Sequence, residues 1–160
     1  MTKIDGPSHG PHSGGKPRQL IVLLHGYGAD GEDLIGLAPV LAPLMPDAVF
    51  HAPNAPERCD GNPMGYQWFP INRLDPASRL AGTRQAAPCI DAFLDEKFAQ
   101  YGLDETNTVL IGFSQGTMMS LHVGLRRAIA DPLVALGQGA INVPETAVGL
   151  LDKLNAALGH

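Results

Sequence analysis

Only two of the 160 residues are cysteine, Cys59 and Cys89, and no C-x-x-C pattern joins them. That scarcity excludes a disulfide framework and a zinc knuckle, and it reads as two ordinary thiols. Charge is sparse as well: Asp, Glu, Lys and Arg make up 17% of the chain, with 11 Lys+Arg against 16 Asp+Glu and a net charge of −5. Without a basic block the chain lacks the electrostatic footprint that holds nucleic acid or an anionic membrane surface, so neither is expected as a partner. No run of about 18 apolar residues occurs, and the first residues carry no apolar signal-like segment. The expectation is a soluble, cytoplasmic protein with no stable membrane insertion. What the chain does have is 44% hydrophobic residues, enough for one sizeable core and one domain. The 19 Gly and 14 Pro mark many turns, yet so apolar a composition is the opposite of a disordered one.

Residues 1–18 are rich in Gly, Pro, Ser and His and read as a flexible N-terminal segment, with the folded domain over 19–160. His9 and His12 have no third donor fixed beside them, so no metal site is expected there. Beyond this segment, apolar runs alternate with helical patterns. Leu20 to Leu24 is a continuous apolar run, the pattern of a strand buried on both faces, and Ala48 to Ala52 is a second. One short helix is expected over 34–41, stopped by Pro43 and Pro46. From Pro53 to Pro76 the density of Pro, Gly and Asn predicts a long loop without regular structure, of the kind that usually has a function.

Ala87, Ile90, Phe93 or Leu94, Phe98 and Tyr101 recur every three or four residues, with Asp91, Asp95, Glu96 and Lys97 opposite. This predicts an amphipathic helix ending at Gly102. Thr108 to Ile111 reads as a third buried strand and is followed by a helix to about Arg127. Leu133 to Leu136 reads as a fourth strand, and 146–158 as a last helix. Strands alternating with helices imply an α/β fold with a mostly parallel sheet and helices on both faces.

The chemistry is carried by Gly112-Phe113-Ser114-Gln115-Gly116, which lies between a buried strand and a helix. A G-x-S-x-G turn in that context is a nucleophile elbow, in which the serine takes a strained backbone conformation and only glycine fits two residues before and after it. Gly112 and Gly116 fill those places, and Ser114 is the candidate nucleophile beside the positive end of the following helix. Acyl transfer also needs backbone N–H groups aimed at the developing oxyanion, one from the residue after the nucleophile and one from the loop after an earlier strand. Gln115 and Tyr27 stand at those two places. His25 reads as a residue that shapes this loop and not as the general base.

Four ordered motifs then carry a resemblance: Leu-Leu-His-Gly-Tyr-Gly-Ala-Asp at 23–30, His-Ala-Pro-Asn-Ala-Pro at 51–56, Gln-Trp-Phe-Pro at 67–70 and Ile-Gly-Phe-Ser-Gln-Gly at 111–116. Over roughly residues 19–140 the chain resembles the phospholipase/carboxylesterase family of α/β-hydrolases, which includes acyl-protein thioesterases. The resemblance implies an α/β-hydrolase fold and a cofactor-free, metal-independent serine hydrolase acting on carboxylic esters or thioesters. It implies Ser114 as nucleophile and the Tyr27 and Gln115 amides as oxyanion hole. Trp68 would either line the acyl site or pack in the core.

The chain departs from the family pattern after Ser114. The family places its acid and then its histidine on loops after later strands, and the expectation is a C-terminally shortened hydrolase in which neither is identifiable. His122 lies eight residues along the elbow helix, about 12 Å up its axis, and cannot reach the serine. Asp131 comes too early, while Asp152 and His160 form a weak candidate pair. Three readings follow: an esterase whose acid and base come from unassigned residues or another chain, a shortened hydrolase with residual activity, and a non-catalytic binding protein on a hydrolase scaffold. The first is preferred. Because a shortened sheet would leave the apolar strand Leu133 to Leu136 at an edge, a homo-oligomer is expected.

Overall fold

The computed structural model describes residues 2–71, 75–127 and 129, together with the backbone of 131–136. Five strands form the main sheet in the order β1-β3-β2-β6-β7: β1 (Ser8–His9), β3 (Ala48–His51), β2 (Gln19–Leu24), β6 (Thr108–Phe113) and β7 (Asp131–Leu136). β1 runs antiparallel to β3, and the other pairings are parallel. β2 sits at the centre, and residues 20–24 are completely buried because both of its faces are covered. Leu20, Val22 and Leu24 point into one core with Ile90, Leu94, Met119 and Val123, whereas Ile21 and Leu23 point into another with Ala38, Leu41 and Phe50. The strand's period of two therefore serves helices on both sides, which is why its sequence is one unbroken apolar run.

Of those helices, α3 (Pro76–Tyr101) begins where Asp75 accepts a hydrogen bond from the Ser78 amide at 2.9 Å, with Pro76 at the first helical position. It ends at Gly102, whose φ of 68° closes the expected C-cap. The predicted stripe faces the core, but Lys97, expected on the polar side, is buried. Its ammonium reaches Glu96 at 3.2 Å and Gln100 at 3.3 Å while lying over the Phe93 ring. A long apolar stem with a bonded tip makes that burial affordable. α4 (Gln115–Arg127) packs beside α3, and Arg127 ties their ends together through Asp91, Asp95 and Glu105.

Three further expectations need correction. The single helix over 34–41 is two short ones, α1 (Gly31–Ile35) and α2 (Ala38–Leu41), with Pro39 in the first turn of the second, where a missing N–H costs nothing. The loop from Pro53 to Pro76 is not wholly irregular, because β4 (Glu57–Arg58) and β5 (Tyr66–Gln67) form an antiparallel pair within it. The N-terminal segment, expected to be flexible, is docked on the domain. Ile4 is buried, Pro7 and Asp5 carbonyls accept from the Ala52 and Asn54 amides, and β1 pairs along β3. Its many glycines and prolines hid the fact that its backbone completes an otherwise open sheet edge. The helix expected over 146–158, with Asp152 and His160, lies outside the described residues.

One core residue makes folding sensitive to acid. The His51 ring is buried at the end of β3, bonded through Nε2 to the Tyr101 hydroxyl at 2.9 Å and edge-on to Phe93. Burial first, and then the Lys97 charge, pull its pKa down to about 4, against opposing pulls from Asp5 and Glu96. Between pH 6.5 and 4 the unfolded chain therefore binds more protons at this site than the folded one. The His51 contribution is complete above pH 6.5 and falls as pH drops towards 4, by up to about 3 kcal/mol. Urea unfolding from pH 7 to 4 should show this slope, and His51→Leu should flatten it. An unchanged slope in that variant would show that other groups govern acid sensitivity.

Candidate active site

The carboxyl ends of β2 and β6 lie side by side, with Leu24 paired to Gly112, and the candidate site is built on the two turns that leave them. Ser114 joins β6 to α4 at φ 53°, the only non-glycine positive φ among the described residues. Such backbone strain costs on the order of 1–3 kcal/mol and persists only where packing imposes it. The packing here is visible in the flanking glycines. A Cβ on Gly116 would lie 1.9 Å from the Leu24 carbonyl oxygen, and one on Gly112 would lie 2.3 Å from the Gly116 oxygen. The turn is thus pressed backbone to backbone against β2. Thr117 pins it further, its hydroxyl donating to the Gly112 carbonyl at 2.8 Å and its amide to the Ser114 carbonyl at 3.0 Å.

The loop after β2 comes up against the same serine, since a Cβ on Gly26 would stand 3.2 Å from Ser114 Cβ. His25 holds this loop from beneath. It is fully buried; the Ala55 amide donates to its Nε2 at 2.9 Å, which leaves Nδ1 to donate to the Gly26 carbonyl at 2.8 Å. With both ring nitrogens engaged and its pKa lowered chiefly by burial, His25 is a neutral structural imidazole. Trp68, also buried, stacks on it with ring centroids 5.4 Å apart and donates its indole N–H to the His25 carbonyl at 2.9 Å. Trp68 is in the core and is not among the residues lining the cleft at Ser114.

Gln115 connects the two motifs. Its side-chain oxygen accepts from the Trp68 amide at 2.9 Å, and its side-chain nitrogen donates to the Phe69 carbonyl at 2.8 Å. The sequence marked Gln115 only for its backbone, and this clamp had no local signal because its partners are main-chain groups more than forty residues away. The Tyr27 side chain is tied down by the Gly61 amide donating to its hydroxyl at 3.2 Å, and Asn62 donates to the Gly28 carbonyl. The backbone amides of Tyr27 and Gln115 have no acceptor among the described residues. Beside Ser114 opens a cleft of about 200 Å³ lined by Phe69, Pro70, Ile71, Ser78, Arg79, Ser114, Gln115 and Met118.

No histidine or carboxylate among the described residues lines this cleft. His122 sits half-buried on α4, as its spacing implied, and Asp131 opens β7. Among the described residues no three His, Cys, Asp or Glu side chains cluster as metal ligands would. No helix there is long and apolar enough to cross a membrane.

A mostly parallel sheet wrapped by helices on both faces, with a strained serine turn at the carboxyl end of an inner strand, defines an α/β-hydrolase fold. The sequence profile of Phospholipase/Carboxylesterase matches residues 12–135, and the chain belongs to that family. It is similar to esterase YpfH of Escherichia coli (strain K12), with 32% identity over 131 residues that are 81% of this chain and 56% of that protein. The chain thus spans little more than half the length of that curated relative. Among solved structures, esterase PE8 matches with a TM-score of 0.74 and 39% identity, over 98% of this chain and 85% of that one. A carboxylesterase from Mesorhizobium loti matches with a TM-score of 0.52 and 28% identity, over 71% of this chain and 51% of that one.

Proposed function

We propose that this chain is a serine hydrolase of carboxylic esters or thioesters, with Ser114 as its nucleophile. The observation that carries the reading is the Ser114 backbone at φ 53°, a strain with no packing benefit of its own that raises the hydroxyl at the mouth of an apolar cleft. The Ser114 oxygen would attack the substrate carbonyl carbon, and the carbonyl oxygen would become an oxyanion facing the Tyr27 and Gln115 amides. Those two donors are supplied by backbone held in place from below by His25, Trp68 and the Gln115 side chain, so they need no reorganisation during reaction. The first turn of α4 adds a favourable dipole. Collapse of the intermediate expels the alcohol or thiol and leaves an acyl-serine, which water then hydrolyses. The hydroxyl proton passes to a base outside the described residues that line the cleft, and that base returns it to the departing alcohol or thiol.

That last feature favours a second reading, an impaired hydrolase acting as a binding protein, and one experiment separates the two. A fluorophosphonate probe should label Ser114 in the full chain and spare Ser13, Ser120 and Ser78, although Ser78 lines the same cleft. Activated aryl esters of short acyl chains should be the best substrates, because a good leaving group needs the least help from a general acid. Ser114→Ala should abolish both signals. Turnover that survives in this variant would move the chemistry elsewhere, and absent labelling would favour the binding protein.

A further inference from the structure

Most of the cleft wall beside Ser114 is apolar, formed by Phe69, Pro70, Ile71 and Met118, and its volume is about 200 Å³. An apolar cavity of roughly 150 Å³ admits a benzene ring, so the space suits a short acyl group. Three polar residues besides Ser114 line it, and the side chains of two are already engaged. Gln115 has both ends of its amide on the backbone of Trp68 and Phe69. The Ser78 hydroxyl donates to Asp75 at 2.8 Å. The third is Arg79, exposed on the first turns of α3.

Among the described residues the Arg79 guanidinium makes no ion pair, in contrast to Arg127, which has three carboxylates around it. Asp75, four residues earlier, is the nearest acid in the chain. It is held by the Ser78 amide and hydroxyl, bonds that keep its carboxyl below the ordinary value. Among the described residues Arg79 is also the only charged one lining the cleft. A mostly apolar pocket with a serine in its wall and one guanidinium fork uncommitted is complementary to an acyl chain that ends in an anion.

We propose that Arg79 is a specificity-determining residue, selecting for reaction at Ser114 short acyl esters whose far end carries a carboxylate, that is, monoesters of short dicarboxylic acids. This rests on the esterase reading above, and the test keeps the two apart. The 4-nitrophenyl monoester of glutaric acid and 4-nitrophenyl pentanoate match in chain length and leaving group and differ in the terminal charge. In the full chain kcat/KM should favour the glutarate ester about fivefold, the scale of a partly exposed ion pair, mainly through KM. The preference should shrink as salt rises. Arg79→Gln should remove the preference, Arg79→Lys should keep part of it, and Arg84→Gln, exposed on the same helix but off the cleft, should leave it intact. An equal preference in the parent chain and Arg79→Gln would overturn the proposal.

If neither ester is hydrolysed, binding decides. In the Ser114→Ala chain, calorimetry with the phenyl monoester of glutaric acid and with phenyl pentanoate should give the same Arg79-dependent preference. Finding it without turnover in the parent chain would uphold the anion site and sink the esterase reading. Equal affinities would sink the anion site itself.

Discussion

Gly116→Ala is expected to destabilise the protein by upwards of about 3 kcal/mol, although it adds a single methyl group. That methyl would have to occupy space 1.9 Å from the Leu24 oxygen and 2.7 Å from the His25 oxygen. Both obstacles are main chain at the end of a fully buried central strand, so neither can swing aside as a side chain would. Relief requires α4 to lift from β2, which would also move the Ser114 turn and the Gln115 clamp. Gly36→Ala is the matched control, because its added methyl meets nothing within 4 Å and its φ of −58° already suits alanine. That variant should be neutral or gain up to about 1 kcal/mol from a stiffer unfolded chain. Urea unfolding of the two variants checks the expectation, and equal midpoints would refute the account of why the turn after Ser114 needs glycine.

Trp68→Ala should cost about 3–5 kcal/mol, the usual range for removing a large buried aromatic. The indole is 1% exposed and packed with Leu24, Ala86 and Met119 in the larger core. The more informative variant is Trp68→Phe, which keeps most of the apolar volume but leaves the His25 carbonyl without its indole donor. Losing that buried partner should cost about 1–3 kcal/mol. If this bond also steadies the loop carrying Tyr27, fluorophosphonate labelling of Ser114 should slow in Trp68→Phe by more than the loss of stability explains. Thermal unfolding and labelling rates measured on the same samples separate these effects. Unchanged values of both would show that the indole bond supports neither fold nor site.

These expectations divide according to what kind of information the chain carries locally. The three inner strands β2, β3 and β6 are legible because a parallel strand buried on both faces must be apolar along most of its length, and contiguous residues report that. The strained serine turn is legible for the same reason: Gly112, Ser114 and Gly116 solve a steric problem within five residues. The end of α3 at Gly102 follows from one residue able to adopt a positive φ. Other features had no such local trace. β4 and β5 are two residues each, too short for an alternating pattern, and exist through pairing across a ten-residue span. The docking of the N-terminal segment depends on one apolar anchor, Ile4, on the close approach of Gly6 to the Ala52 carbonyl, and on main-chain hydrogen bonds from Ala52 and Asn54, more than forty residues away.

The candidate site shows the same division. The sequence by itself determined which serine stands on the strained turn and which loop could lie beside it, since both are properties of short contiguous motifs. Only the tertiary structure decided that Trp68 belongs to the core, that the Gln115 side chain clamps the Trp68–Phe69 backbone, that His25 has both nitrogens occupied, and that Arg79 reaches the cleft. Each of those outcomes depends on at least one partner tens of residues away, met through backbone atoms or the direction of one side chain. A backbone N–H or C=O is the same chemical group at nearly every position, so its long-range partner leaves no mark in the residue order until the chain has folded.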